Sequence, residues 1–256
     1  MNLELEGKVA LVTAASRGIG AATAQRLARE GAKVAIAARS VSPTGKQVEQ
    51  GIYPYTADLG NAEATAALIP KVLKDFGRLD ILVLNTPGPK IAPVLELDVE
   101  DWAAAYDMLV RPVVQLALAG AKQMVKQGSG SIVFLTSTWV KQPATGGVLS
   151  ASMRSALSAF CKQMALELGP LGVRVNQVQP GATGTDRMTN IVKMKAAKLG
   201  TTVEAEIGKI VADIPMKRWG QADEIADAIA FIVSQRASFI TGSTLQVDGG
   251  AIRSTQ

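Results

Sequence analysis

VALVTAASRGIG, residues 9–20, runs a five-residue apolar β-type segment, Val9–Thr13, straight into a turn ending Gly18-Ile19-Gly20. Glycines at such a turn let the backbone reverse tightly and approach a ligand closely, and the amino end of the following helix favours negative charge. A glycine pair alone carries little. At the first strand-to-helix turn of a parallel sheet, it points to the pyrophosphate of a dinucleotide. Thr13, Ser16, Arg17, Gly18, Ile19 and Gly20 are the candidate contacts. Nineteen residues past Gly20, where the second strand should end, stands Arg39. An acid near that point suits the ribose 2′-hydroxyl of NAD, whereas a guanidinium suits a 2′-phosphate. The reading favours NADP over NAD, with Arg17 able to contribute from the glycine turn.

The pattern beyond this turn repeats. Apolar runs predict strands at Val9–Thr13, Lys33–Ala37, Ile52–Ala57, Ile81–Leu84, Ser131–Leu135, Val173–Val178 and Thr244–Val247, with helical patterns near 19–30, 61–75, 98–126, 150–168 and 221–234. The strands are mostly continuous apolar runs, as strands covered on both faces require. Repeated β-α-β units with short connections predict an α/β fold, a single doubly wound parallel sheet of the Rossmann type with helices on both faces. No linker or repeat divides the chain, so residues 1–256 are expected to form one domain. Two stretches depart from the alternation. Residues 41–50, with Pro43 and Gly45, predict a stunted or missing second crossover helix. Between Gly181 and Trp219 the chain leaves the sheet, and Met188, Ile191, Val192 and Leu199 carry helical spacing. Both an ordinary surface helix and a lid over a site fit that excursion.

Composition removes whole classes of chemistry. The chain has no histidine, so a Ser-His-Asp triad and a His-ligated metal are excluded. Its single cysteine, Cys161, allows no disulfide framework and no zinc cluster, and is expected to be a buried thiol. No metal site is expected. Net charge is +5, but the basic residues are scattered and aromatics are only 4% of the chain, which argues against a nucleic-acid surface. No apolar run approaches the roughly 20 residues that span a bilayer. The start, MNLELEGKVA, has acids where a signal peptide carries its basic region, so the expected location is the cytoplasm, with no membrane partner.

With these motifs the chain resembles the short-chain dehydrogenase/reductase family over nearly its whole length. The glycine turn is similar to the family's TGxxxGxG, with Ala14 in place of the first glycine. Asp58, in Ala57-Asp58-Leu59, falls where the family contacts adenine, and Leu59 goes with it. Asn85-Thr86-Pro87-Gly88 resembles the NNAG motif, placing Asn85 and Gly88 beside the cofactor. Ser137 ends strand 5 as the family's catalytic serine does. Asn176, then Pro180-Gly181 followed by Thr185, match the segment that lies along the nicotinamide, and Leu245–Gly250 is a typical ending.

The resemblance implies an Asn-Ser-Tyr-Lys set, in which tyrosine is the acid or base and lysine lowers its pKa and holds the ribose. Thirteen residues past Ser137 stands Ser150, and four further on stands Arg154. Leu109 takes the asparagine position, seven residues after Trp102. Tyr53 and Tyr55 belong to strand 3, remote from strand 5, and Tyr106 is expected to pack in the core. Lys141-Gln142-Pro143, Leu149-Ser150 and Arg154 together resemble a divergent branch similar to 3-oxoacyl-[acyl-carrier-protein] reductases. Two functions follow as expectations. One is an NADP-dependent oxidoreductase with an altered proton path through Ser137, Ser150, Lys141 or water, Arg154 aligning the cofactor, on a small-molecule substrate for which an acyl thioester is one candidate. The other is a dinucleotide-binding sensor or partner subunit without turnover. Ala151, Met153, Ala156, Leu157, Ala159, Phe160, Met164 and Ala165 spread over more than one face of their helix. That spread, and the resemblance, imply a homodimer or homotetramer built on the helices at 98–126 and 150–168.

Overall fold

The computed structural model describes residues 2–41 and 50–255. Among them, seven parallel strands form one sheet in the order β3-β2-β1-β4-β5-β6-β7. They are β1 Val9–Thr13, β2 Lys33–Ala38, β3 Ile52–Thr56, β4 Ile81–Leu84, β5 Gly130–Leu135, β6 Val173–Pro180 and β7 Thr244–Val247. The α-helices are α1 Gly18–Arg29, α2 Ala62–Ala66, α3 Leu68–Phe76, α4 Val99–Leu109, α5 Arg111–Gln127, α6 Val148–Leu168, α7 Asp186–Leu199, α8 Val203–Ala212 and α9 Ala222–Val233. The expected short crossover at 41–50 falls, apart from its two ends, outside the described residues.

Successive side chains of a strand point to opposite faces, so a sheet covered on both sides needs apolar residues at every position. β1 supplies them: Val9 and Leu11 join a layer with Leu68, Val72, Leu116 and Leu157, whereas Ala10 and Val12 join Leu27, Ile225 and Ile229. Helices α3, α5 and α6 therefore cover one face, and α1 and α9 the other. β1 pairs with β2 on one side and β4 on the other, so the chain winds outward in both directions from this seam. A crevice opens at the carboxyl ends of the strands there.

Two expected helices are each divided, and proline is the reason in both. Residues 61–75 hold α2 and α3, because Pro70 has no N–H to give the carbonyl of Ala66. Residues 98–126 hold α4 and α5, broken at Val110, with Pro112 in the first turn of α5 and unable to bond back to Met108. Strand β6 runs two residues further than its apolar run, to Pro180, because it pairs with β7 as far as Val247.

The excursion after β6 contains two helices. Thr185 caps α7 by accepting from Met188 N, and Thr202 caps α8 by accepting from Ala205 N. Its stem is pinned by Gly184 N to Gly220 O at 2.8 Å and Gly220 N to Ala182 O at 2.9 Å. Glu206 of α8 is fully covered, with Lys195 Nζ 2.9 Å from its Oε2 and Lys209 bonded to its Oε1. Hydrogen bonds from Lys209 first and Lys195 second hold this carboxyl well below its ordinary range, at about 2. A depressed carboxyl stabilises the fold above its unfolded value and loses that contribution as pH falls through the folded one. Amide exchange in 186–212, corrected for intrinsic rate, is expected to quicken as pH drops from 4.5 towards 2. In Glu206→Gln the same segment is expected to exchange fast already at pH 6, and equal protection in both proteins would refute the ion-pair account.

Candidate active site

The glycine turn is held in place by a hydroxyl. Thr13 Oγ1 donates to Asn85 O at 2.6 Å and accepts from Asn85 N at 2.9 Å, which stitches the end of β1 to the end of β4. Asn85 Nδ2 reaches back to Ala14 O at 3.3 Å. Ala14 sits at φ 48°, a left-handed conformation that glycine adopts without strain and alanine does not. Gly20 is required by space: a Cβ there would lie 2.6 Å from Ala14 O and 2.9 Å from both Ala15 Cα and Asn85 Nδ2.

Helix α1 begins without a side-chain cap and without an acid in its first turn. Its first backbone bond runs from Ala21 N to Arg17 O, so the amides of Gly18, Ile19 and Gly20 precede the helical ladder. Such an end attracts an anion. Beside it lies a cavity of about 170 Å³, lined by Ala15, Ser16, Ala21, Ala24, Gln25, Ile36, Ser40, Val41 and Ile52. Arg39 is exposed next to Ser40 at the end of β2. Asp58 is exposed and caps its own turn by accepting from Gly60 N at 3.0 Å, while Leu59 is buried. These residues fit the pyrophosphate and adenosine parts of a dinucleotide.

At the other end of the crevice, β5 delivers Ser137 and α6 delivers Ser150 and Arg154. Ser150 and Arg154, one helical turn apart, are both 8% exposed. Arg154 donates from Nε to Ser150 Oγ at 3.3 Å, from Nη1 to Leu135 O at 2.8 Å and from Nη2 to Thr86 Oγ1 at 3.4 Å. Burial, and then the nearby Arg187 guanidinium, lower its pKa to about 10, so it stays charged at neutral pH. Ser137 Oγ accepts from Trp139 N at 3.2 Å as a cap on the short turn after β5. Pro180 is buried, and Gly181 is pressed so closely on Asp248 that a Cβ would lie 2.8 Å from its Cα. Thr185 packs against Gly18, which brings the start of α7 over the glycine turn. That contact places the first turn of α7 on the crevice.

Some expectations need correcting. Tyr106 is 49% exposed and not a core residue, because its turn of α4 faces outward while Ala105 and Leu109 face in. Asn176 is fully buried in mid-strand, bonded to Ile240 O and Ser243 N, so it ties β6 to the approach of β7 and lies away from the crevice mouth. Leu109 is core. Cys161 is buried as expected, and burial pushes its thiol up to about 12. Two side chains escaped the sequence reading. Thr86 carries the Arg154 bond, and Arg187 lies over Gly88 and donates to Pro89 O at 2.9 Å. Among the described residues, no group of His, Cys, Asp or Glu is arranged to hold a metal, and no helix is long and apolar enough to cross a membrane.

A larger cavity, about 450 Å³, opens at the opposite, amino ends of the strands. Of its charged lining, Arg174 is committed to four backbone carbonyls, Asp80 to Arg78 and Val9 N, and Glu4 to Arg236. The carboxyl ends remain the chemical end of the sheet.

Residues 13–251 match a family model described as enoyl-(acyl carrier protein) reductase. The chain belongs to the short-chain dehydrogenase/reductase family. It is 35% identical to a 3-oxoacyl-[acyl-carrier-protein] reductase of Synechocystis, covering 97% of this chain and 98% of that one. It is 33% identical to L-xylulose reductase of Homo sapiens, covering 98% of each. L-sorbose reductase of Gluconobacter frateurii, solved with NADPH and L-sorbose, superposes with a TM-score of 0.93 at 28% identity over 99% of this chain and 100% of that one. The NADPH in that complex supports the dinucleotide reading drawn from the glycine turn and Arg39. The family's dinucleotide-binding oxidoreductase framework is thus present throughout the chain.

Proposed function

We propose that this chain is an NADP(H)-dependent oxidoreductase of a small carbonyl or alcohol compound, with Ser150 and Arg154 in the place of its family's tyrosine and lysine. The observation that carries this reading is the hydrogen bond of 3.3 Å from Arg154 Nε to Ser150 Oγ at the carboxyl end of β5, at the far end of the crevice from the bare α1 terminus. The names of its relatives span an acyl thioester and sugars, and the chemistry they share is reduction of a carbonyl. When bound, the dinucleotide supplies a hydride. The rest falls to the chain. Arg39 would hold the 2′-phosphate, the amides of α1 the pyrophosphate, and Gly181 and Thr185 would border the nicotinamide end. Arg154 cannot shuttle protons at neutral pH, so it orients and stabilises charge. It donates to Ser150 Oγ, which favours the deprotonated hydroxyl, but serine starts far above the roughly 10 of a tyrosine. Proton transfer is the weak step. A homodimer or homotetramer built on α4, α5 and α6 belongs to the same reading, since Tyr106, Leu118 and Leu166 are exposed there.

Three outcomes test this. Arg39→Ala is expected to cost about 1.5–3 kcal/mol of NADP(H) affinity, the range for hydrogen bonds to a charged group, and to leave NAD(H) unchanged. Calorimetric titration that finds both dinucleotides bound equally, with or without Arg39, contradicts it. Reduction of 3-oxoacyl thioesters, ketones and aldehydes by the natural protein is expected to be slow, and Ser150→Tyr with Arg154→Lys to restore part of the roughly 10²–10⁴-fold that general acid catalysis contributes. Turnover by the natural protein at about 1–10³ per second would show another acid at work, and binding of NADPH with no turnover in either protein would favour a sensor or partner subunit. Light scattering should report a multiple of 26.7 kDa, and a particle of that mass at micromolar concentration removes the oligomer.

A further inference from the structure

Six of the chain's twelve arginines are neutralised. Arg26, Arg78, Arg111, Arg218, Arg236 and Arg253 each face a carboxylate. Arg154 and Arg187 do not: among the described residues neither forms an ion pair, although Asp186 is next to Arg187 in the chain. Arg154 spends three of its five N–H groups on neutral oxygens, those of Ser150, Leu135 and Thr86, and Arg187 bonds to Pro89 O. Both guanidiniums grip one four-residue loop after β4. Arg154 holds its first residue, Thr86, and Arg187 covers its third, Gly88, where a Cβ would lie 2.3 Å from Arg187 Cζ. The absence of that Cβ is what lets the Arg187 head lie on the loop. Each cation also feels the next one: Arg187 lowers the pKa of Arg154, and Arg17 lowers that of Arg187. A cation 92% buried with no counter-ion is costly, and a second cation beside it makes it more so. An arriving anion relieves both.

We propose that Arg154 and Arg187 form a subsite for a carboxylate of the substrate, so that the compound interconverted is an oxo acid and its hydroxy acid, not a neutral ketone and alcohol. This rests on the oxidoreductase reading of the same crevice. The dinucleotide's own phosphates have other partners, the bare end of α1 with Arg17 and, at the end of β2, Arg39. Arg154 lies two strands further along the sheet, beyond β4 at the end of β5, about 10 Å from the glycine turn at the usual strand spacing. A planar guanidinium matches a carboxylate with two parallel hydrogen bonds, and two of them from different elements can hold one from both sides. Substrate charge would then also be read by α7, because Arg187 stands in its first turn.

The test is calorimetric titration of the full-length protein saturated with NADP⁺, which cannot reduce a ketone, using acetoacetate and its neutral methyl ester. Acetoacetate is expected to bind at least about 10-fold more tightly than the ester, as hydrogen bonds to a charged group imply. Arg187→Ala should bring the acid down to the level of the ester. Arg154→Lys keeps the charge without the planar fork and should weaken the acid about 10-fold, with circular dichroism confirming that the protein is folded. Equal binding of acid and ester overturns the inference. So does an Arg187→Ala protein that loses affinity for NADP⁺ and not for acetoacetate, since Arg187 would then be a cofactor clamp. NADPH oxidation with the same pair separates this inference from the reading beneath it. An acid that binds through Arg187 while neither compound oxidises NADPH keeps the subsite and removes the oxidoreductase. An ester reduced as fast as the acid keeps the oxidoreductase and removes the subsite.

Discussion

The seam between β1 and β4 is the constraint on which the rest of the molecule depends. Parallel strands joined by right-handed crossovers must wind outward from some first strand, and where the winding reverses, the two neighbouring crossovers leave on opposite faces. Neither of those two crossovers covers the carboxyl ends at that place. Thr13 closes the seam with one hydroxyl bonded both to Asn85 O and Asn85 N. This bond sets how near the glycine turn and the Thr86–Pro89 loop approach each other. The crevice is thus a result of topology, and the Thr13 and Asn85 side chains tie its two rims together.

Charge along the crevice is unbalanced in one direction. The α1 terminus carries no acid, and Arg17, Arg39, Arg154 and Arg187 make no ion pair among the described residues. Elsewhere several charges are paired, as at Glu206, where two lysines cover one carboxylate. A low-dielectric crevice lined by one sign of charge concentrates ions of the other sign. The same run of cations that suits a phosphorylated dinucleotide makes the charge on Arg154 costly, and burial together with Arg187 lowers the pKa of that guanidinium. Its hydrogen bonds to Ser150, Leu135 O and Thr86 keep it in place, and they do not discharge it.

Much of the site was legible in the linear chain because the functional groups of the dinucleotide half sit within single turns. Thr13 to Gly20 is one local structure, whose spacing can be read without the rest of the fold. The reaction end was less legible. Counting from Ser137 located Ser150 and Arg154, and the helix does bring those two together. Tyr106 and Asn176 were misread, because whether a residue one turn from a core position faces in or out depends on how its helix is tilted, and strand length decides which end of β6 a residue occupies.

From its amino acids alone this protein was committed to a doubly wound parallel sheet, a glycine turn ending on a helix, and a chemistry without histidine. Periodicity and residue type suffice for those, since each is a property of neighbours in sequence. The breaks at Pro70 and Pro112 also belong to that class, being losses of a single N–H. Tertiary structure alone decided that Arg187 would lie on Gly88, 99 positions earlier in the chain, and that Thr86 would meet Arg154. Those contacts join α7, a loop and α6, whose only common cause is the packing of the sheet between them. No local pattern encodes a guanidinium left without a carboxylate: it is a fact about what three-dimensional folding failed to bring near.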